Sequence, residues 1–391
     1  MNVVLFTHPP FLGSQSMPRF AGMLLEGMRS RGHQVDVWTP EAAFFNLAPI
    51  PAAKKWFGYI DQYVVFPSRV KRLIEKMPAD TLFVFSDQAL GPWIPLVKAR
   101  PHVVHCHDFL AQRSALGEIP ENPVRFSGRK YQKYIRKGYR SAKNFISVSE
   151  KTREDLHRFL SHTPVVSEVV YNGLNKRFQI KDPASARSIL GKRIGVDLSQ
   201  GYLLHVGGNQ WYKNRPGVVH MYNAWRKISK LSLPLLMVGE PPSPELLNTS
   251  SNTAYKDDIL FLTAINDDLI NDAYSGATAF LFPSLAEGFG WPIAEAMAAG
   301  TIVITTGEMP MTEVAGNASF LIPGRPQSQG EIEAWAHNSA RVVEDVVNLD
   351  PIRRDELVKA GLDNAARFDS SAALDAIESI YKRVLQTEKS E

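Results

Sequence analysis

The feature that most constrains this chain is a twice-repeated alternation of short apolar runs with helix-spaced stretches. In the first half the apolar runs are Val3–Thr7, Val35–Trp38, Leu82–Phe85, Val103–Cys106, Asn144–Val148 and Val166–Tyr171. They are only four to six residues long; Val3–Phe6 and Leu82–Phe85 are apolar at every position, the pattern of strands buried on both faces, and the others are mostly apolar. Between them, Met17–Arg31 places Phe20, Leu24 and Met28 at helical spacing and ends before Gly32, a C-cap residue. Ser149 is placed to N-cap a helix running through Leu160. The pattern restarts with Tyr202–Val206, Leu235–Val238, Ile259–Leu262, Ala279–Phe282 and Thr301–Thr305, and Leu357–Leu385 is helical by spacing. Strands alternating with helices imply a doubly wound parallel sheet. Two such sets imply two Rossmann-like units, with ligands bound at the carboxyl ends of the strands. The expected division is 1–175, 176–365 and a C-terminal helical segment, 366–391.

A chain of 391 residues is long for one core, which fits two domains. Its 44% apolar and 21% charged content is that of a globular protein. Charge is unevenly spread: residues 1–177 carry 25 Lys+Arg against 14 Asp+Glu, and the remainder 19 against 26. The basic half predicts a polyanionic partner, a membrane surface or a phosphate-bearing substrate. The single cysteine, Cys106, permits no intrachain disulfide and fits a reducing cytoplasm. The first residues read as a buried strand rather than a signal peptide, and no apolar run reaches transmembrane length.

Several motifs fall at predicted strand ends. Glu287 and Glu295 follow the run Ala279–Phe282, separated by Gly288, Phe289, Gly290 and Pro292. Pro292 suits a first helical turn, so Glu287 lies in the loop and Glu295 within the helix. A helix N-terminus favours phosphate, and acids beside it can hold ribose or sugar hydroxyls. The spacing alone equally allows a solvated loop Glu beside a first-turn Glu that satisfies the helix dipole. In His205–Asn214, Gly207 and Gly208 admit close approach of a ligand, and Lys213 offers a compact cation. A glycine turn with an exposed lysine is the alternative. His105-Cys106-His107-Asp108 follows another strand. His107 is the residue expected to face the ligand, and His105 a core histidine. Zinc is disfavoured, because adjacent strand positions face opposite sides and no second cysteine exists. Gly13, Ser14 and Arg19 lie in or just after the first strand–helix loop, where Arg19 is either a contact for an anion or simply solvated.

His205–Asn214 resembles the donor-phosphate loop of retaining glycosyltransferases with the GT-B fold. Phe282–Gly300 and Thr312–Ala318 resemble glycosyltransferase family 4, whose two glutamates are spaced as Glu287 and Glu295 are. The resemblance spans essentially the whole chain and is strongest over 201–323. It implies two Rossmann-like domains facing across a cleft, with the C-terminal helix crossing back onto the first. It places Gly207, Gly208, Asn209, Lys213, Gly288, Phe289, Gly290 and Glu295 at the donor, with Glu295 on ribose hydroxyls. Glu287 and His107 are expected near the donor sugar, Lys213 on the leaving diphosphate, and Gly13, Ser14, Arg19 and Asp108 on the acceptor side. The family's arginine after the first loop glycine is replaced by Gly208. That leaves the remaining phosphate charge to Asn209, Asn214 or backbone N–H groups. No Asp-x-Asp occurs, so no metal and no cofactor beyond the nucleoside-diphosphate sugar is expected. Electrostatic stabilisation of the leaving group would then come from Lys213 and helix amides.

The implied function is retaining transfer of a hexose, such as mannose, rhamnose or glucose, to a glycan or glycolipid hydroxyl. The setting would be cell-surface polysaccharide or glycolipid synthesis. Alternatives are a GT-B epimerase or phosphorylase, or a non-catalytic nucleotide-sugar-binding or scaffold protein, which the missing arginine makes conceivable. Arg125–Lys143 holds eight Lys+Arg with Tyr131, Tyr134, Ile135 and Tyr139 interleaved, and has no acid. An anionic membrane surface suits such a segment, as does a plain solvated helix face, whereas no nucleic-acid motif is found. Trp56-Phe57-Gly58-Tyr59 after Lys54-Lys55 is a second membrane or acceptor contact, or a packed loop. The expected location is cytoplasmic, or peripheral on the inner membrane face.

Overall fold

The computed structural model describes residues 1–13, 16–174, 178–263 and 265–387. The chain forms two compact units, Met1–Tyr171 with the segment from Ser371 onward, and Asn172–Ser370.

The first unit holds β1 (Asn2–Phe6), β2 (Gln34–Trp38), β3 (Leu82–Phe85), β4 (His102–Cys106), β5 (Asn144–Ser147) and β6 (Val166–Val169). They form one parallel sheet in the order β2-β1-β3-β4-β5-β6. Alternation along each strand sends side chains to two helical layers. Val4, Phe6, Phe83, Phe85, Val104 and Cys106 enter one core, and Val3, Leu5, Leu82, Val84 and Val103 the other. Phe6 stacks on Phe85 at 4.5 Å between ring centroids. The second core is completed by the helix Ser370–Thr387, through Leu374, Ile377, Ile380, Tyr381 and Val384 at helical spacing.

The second unit holds β7 (Leu203–Val206), β8 (Leu235–Val238), β9 (Ile259–Leu262), β10 (Ala279–Phe282), β11 (Val303–Thr306) and β12 (Ser319–Ile322). This sheet is also parallel throughout, in the order β12-β11-β10-β7-β8-β9. Its core joins Leu203, Leu235, Met237, Leu281 and Ile304 to Trp225 and Trp335 of the covering helices. Two doubly wound parallel sheets were the expectation, and the structure bears it out.

Three details differ from the sequence reading. β12 was not foreseen. Leu357–Leu385 is two helices rather than one, Pro351–Ala365 and Ser370–Thr387, separated by a 3₁₀ turn at Ala366–Phe368. Phe368 is buried there, edge-on to Phe289 at 5.4 Å. Trp56–Tyr59 is neither loop nor isolated, because it lies in the helix Pro51–Ile60, which runs through a π-helical turn into the helix Phe66–Ile74.

The basic segment forms the helix Phe126–Tyr139. Its buried side is Ile135, Gly138 and Tyr139, laid against the 3₁₀ segment Gln88–Leu96. The crossing needs two glycines: a Cβ on Gly138 would lie 2.0 Å from the Gly91 carbonyl oxygen, and one on Gly91 2.3 Å from that of Ile135. Among the described residues no helix is long and apolar enough to cross a membrane.

Each sheet has a switch point where the strand order reverses, between β1 and β3 in the first and between β7 and β10 in the second. Loops leaving neighbouring strands diverge there and open a crevice.

Candidate functional site

In the second unit the switch point is flanked by the loops after β7 and β10. The first runs through Gly207–Gln210 into a 3₁₀ turn, Trp211–Lys213, and then the helix Arg215–Ile228. Asn214 makes the join with φ of 50°, a left-handed geometry that Asn tolerates. It is buried, and its Nδ2 donates to the Pro283 carbonyl at 2.9 Å. That N–H group is therefore engaged within the fold. The loops are also joined by Leu285 N, which donates to the Tyr212 carbonyl at 2.8 Å. Gly239, after β8, closes on the first loop: a Cβ there would sit 2.1 Å from the Gly207 carbonyl oxygen.

Lys213 Nζ and Glu287 Oε1 meet at 2.8 Å across the switch point, both side chains largely buried. Ser284 Oγ donates to the same Glu287 oxygen at 2.8 Å. The ammonium also lies 5.1 Å from the centre of the Phe282 ring, a favourable cation–π distance. Both bland alternatives, a solvated Glu287 and an exposed Lys213, are set aside by this burial. β11 holds the second loop in place, since Thr305 Oγ1 donates to the Phe282 carbonyl and Thr306 Oγ1 to that of Ser284.

Glu295 is 6% exposed and accepts from the buried Tyr274 hydroxyl at 3.1 Å. The helix Trp291–Ala298 has no acid in its first turn, so Glu295 lies a turn deeper than a dipole-satisfying residue would. Gly290 precedes this helix at φ of 101°, a conformation that favours glycine. Gly288 lies in the same turn, and the buried Phe289 ring packs edge-on to Phe368. Gly207 and Gly208 are partly exposed. Asn209 is held on three sides: its N–H donates to Glu240 Oε2, its Nδ2 to the Pro241 carbonyl, and its Oδ1 accepts from Arg215 Nη1.

In the first unit His107 follows β4. Its ring donates from Nε2 to the Ser86 carbonyl at 2.9 Å, and its backbone N–H donates to Gln88 Oε1. Gln88 also donates to the Asp108 carbonyl, and Thr152 Oγ1 to that of His107. Burial holds the His107 imidazole below its ordinary pKa against the pull of Asp87. Asp108 Oδ1 accepts from Leu110 N–H at 3.0 Å. Gly13 caps the 3₁₀ turn Pro10–Leu12 at φ of 69°, and Arg19 is half-buried near the start of the helix Ser16–Ser30. Ser14 lies outside the described residues. His105 is the core histidine expected: burial pushes its pKa down to about 3, and its Nε2 meets the Tyr381 hydroxyl at 2.7 Å. Among the described residues no group of three His, Cys, Asp or Glu is placed to hold a metal ion.

The sequence reading missed His8 and Asp87, which stand just past β1 and β3 at the first unit's switch point. His8 Nε2 and Asp87 Oδ2 are 2.7 Å apart. Burial alone would raise the Asp87 pKa, but the His8 hydrogen bond and the His8 and His107 charges outweigh it and hold the carboxyl low. The strand-end rule that singled out His107 would have found both.

Two family models match the chain. Residues 17–178 match "Glycosyltransferase Family 4" and residues 200–345 match "Glycosyl transferases group 1". The chain belongs to glycosyltransferase family 4. An O-antigen chain mannosyltransferase from Escherichia coli is 25% identical over 208 residues, covering 52% of each chain. The matched part is thus about half the length of that relative. Among solved structures, this family 4 protein superposes on a sucrose-phosphate synthase from Thermosynechococcus elongatus with a TM-score of 0.74 and 17% identity, over 99% of this chain and 100% of the other. An Anabaena protein solved with UDP and glucose gives 0.68 at 16% identity, over 97% and 98%. The fold of the family 4 protein is therefore GT-B.

Proposed function

We propose that the protein is a retaining hexosyltransferase that moves a hexose from a nucleoside-diphosphate sugar to a hydroxyl of a glycan or glycolipid acceptor. The observation that carries this is the Lys213–Glu287 pair at the second unit's switch point, with Glu295 buried in the helix that follows the Glu287 loop. A cation, glycine-lined backbone and two carboxylates converge where an α/β sheet binds its ligand. An arriving diphosphate takes Lys213, and the freed Glu287 carboxylate is left to accept from a sugar hydroxyl. Glu295 is assigned to the ribose hydroxyls and His107 to the donor sugar near the reacting carbon. In this reading Lys213 and backbone amides stabilise the leaving diphosphate without a metal. Gly13, Ser14, Arg19 and Asp108 are assigned to the acceptor side.

The test is nucleotide release from a panel of GDP-, UDP- and dTDP-hexoses, for wild type, Lys213→Ala and Glu287→Ala. GDP-mannose heads the panel because the E. coli relative is named a mannosyltransferase. Turnover with one donor, lost in both variants, is expected. Tight nucleotide binding without turnover on any donor and acceptor would favour a non-catalytic binding protein instead.

The reading extends to an anionic membrane surface, where a lipid-linked acceptor would be met during surface-polysaccharide synthesis. Lys130, Lys133 and Lys137 are exposed, with Phe126 74% and Tyr134 47% exposed beside them. Tyr131 stacks on Tyr59 and hydrogen-bonds Tyr63 at 2.6 Å, which ties this helix to the one carrying Lys54, Lys55 and the exposed Trp56. Sedimentation with phosphatidylglycerol vesicles should fall when Lys130, Lys133, Arg136 and Lys137 are reversed to Glu. No binding, or binding unchanged by the reversal, would count against the surface.

A further inference from the structure

The family's loop arginine is missing at position 208, yet a guanidinium stands directly behind that loop. Arg215 opens the helix Arg215–Ile228 and is 3% exposed. Its Nη1 donates to Asn209 Oδ1 at 2.6 Å and to the Glu240 carbonyl at 3.0 Å. Both acceptors are neutral groups. The Nε and Nη2 atoms are buried with no hydrogen-bond partner. Of the five N–H groups a guanidinium carries, three therefore lack an acceptor. A charged side chain is expensive to bury in that condition. Glu240 is the acid nearest in effect, but its Oε2 is engaged by the Asn209 N–H.

The surroundings point to an anion on the loop. His205, at the end of β7, donates from Nδ1 to the Leu281 carbonyl at 2.9 Å, and its buried Nε2 has no partner. That Nε2 lies 3.0 Å from where a Gly207 Cβ would be, and the Lys213 side chain 3.5 Å from it. The charges of Arg215 and Lys213 both act on this ring, which burial already holds neutral. Two cations and a helix N-terminus are thus gathered around one Gly-Gly turn, and only Lys213 has a carboxylate in contact.

We propose that Arg215 is the second cation of the donor-diphosphate site, acting on the phosphates from beneath Gly207–Asn209 in place of the arginine that position 208 lacks. The inference rests on the donor reading of this loop. Arg215 is a positioning residue in that it orients Asn209, and its charge adds to that of Lys213 across a short, poorly screened path. The same loop would accept an arginine at 208: a Cβ there meets only the movable end of Gln210, 2.6 Å away.

The experiment is calorimetric titration of the full chain with GDP, GMP and guanosine, and in parallel UDP, UMP and uridine. Arg215→Met should weaken diphosphate binding about tenfold to a hundredfold, the range for a charged hydrogen bond. Monophosphate binding should weaken less, and nucleoside binding should not change. Arg215→Lys, which keeps the charge, should stay within about threefold of wild type on the diphosphate. Adding Gly208→Arg to Arg215→Met should recover about tenfold. A loss equal for nucleoside, monophosphate and diphosphate would make Arg215 merely structural and overturn the proposal. So would an unchanged diphosphate affinity. Should Arg215→Met not fold, Arg215→Gln, which also removes the charge, decides by the same comparison. If wild type binds no nucleotide at all, the donor reading itself fails, which is a separate result.

Discussion

Gly239→Ala tests the site's architecture without touching any charged group. Gly239 has φ of 143°, and a Cβ would fall 2.1 Å from the Gly207 carbonyl oxygen, whereas real Cβ contacts essentially never come under 3.0 Å. The Gly207 carbonyl must therefore retreat by at least 0.9 Å, the difference between those distances. The backbone conformation alone costs about 1–3 kcal/mol for a residue with a side chain, and relieving the clash adds about 1–3 more. For the 199 residues of Asn172–Ser370, about 3 kcal/mol corresponds to a Tm fall of roughly 6–12 °C. A displacement near 1 Å in a positioning loop costs about a hundredfold in turnover. Gly195→Ala is the control, with φ of 73° and nothing within 4 Å. It should lose about 1–2 kcal/mol and keep donor kinetics. Differential scanning calorimetry and kcat/KM for the selected donor read both variants. If Gly239→Ala matches Gly195→Ala in donor kinetics, the close approach does not position the loop, and the reasoning is wrong.

Glu295→Gln keeps the Tyr274 contact but removes the charge, so nucleotide affinity should fall about tenfold; unchanged calorimetric affinity would detach Glu295 from ribose. His107→Ala should lower kcat while leaving nucleotide Kd within about threefold, and a loss confined to Kd would move its role to nucleotide binding. Buried His105 and His205, both pushed down to about 3 from 6.5, are neutral in the fold. Below 6.5 the unfolded chain takes up protons that the fold refuses, so stability is full above that pH and lost as pH falls toward 3. At pH 5 the loss is about 2 kcal/mol for each histidine. Urea midpoints that do not fall between pH 7.5 and 5 would contradict this burial.

Much of this was legible in the sequence because buried parallel strands are short and apolar on both faces. β8 and β10 are read to the residue for that reason, and the edge strand β9 by its unbroken apolar run Ile259–Leu262. β12 escaped because its apolar run, Phe320–Ile322, is shorter than those of β8, β9 and β10, and Leu321 is 48% exposed. The break before Ser370 escaped because Phe368 fits the helical spacing on either side and turns inward only in three dimensions. Lys213 and Glu287 were assigned to one site from loop motifs, and strand order puts them in contact. Arg215 was not found, since the second residue after Lys213 reads as an ordinary helix start. Only burial, and three N–H groups without acceptors, set it apart.

The first unit's core is completed by residues from 371 onward, whereas its strands all lie before Tyr171. The ribosome must make the intervening 199 residues before Leu374 and Tyr381 exist. At about 5–20 residues per second, the sheet face bearing Val3, Leu5 and Val103 waits roughly 10–40 s for its cover. The second unit, contiguous in the chain, can fold within that interval. The uncovered face is therefore the segment most exposed to chaperone capture or aggregation during synthesis.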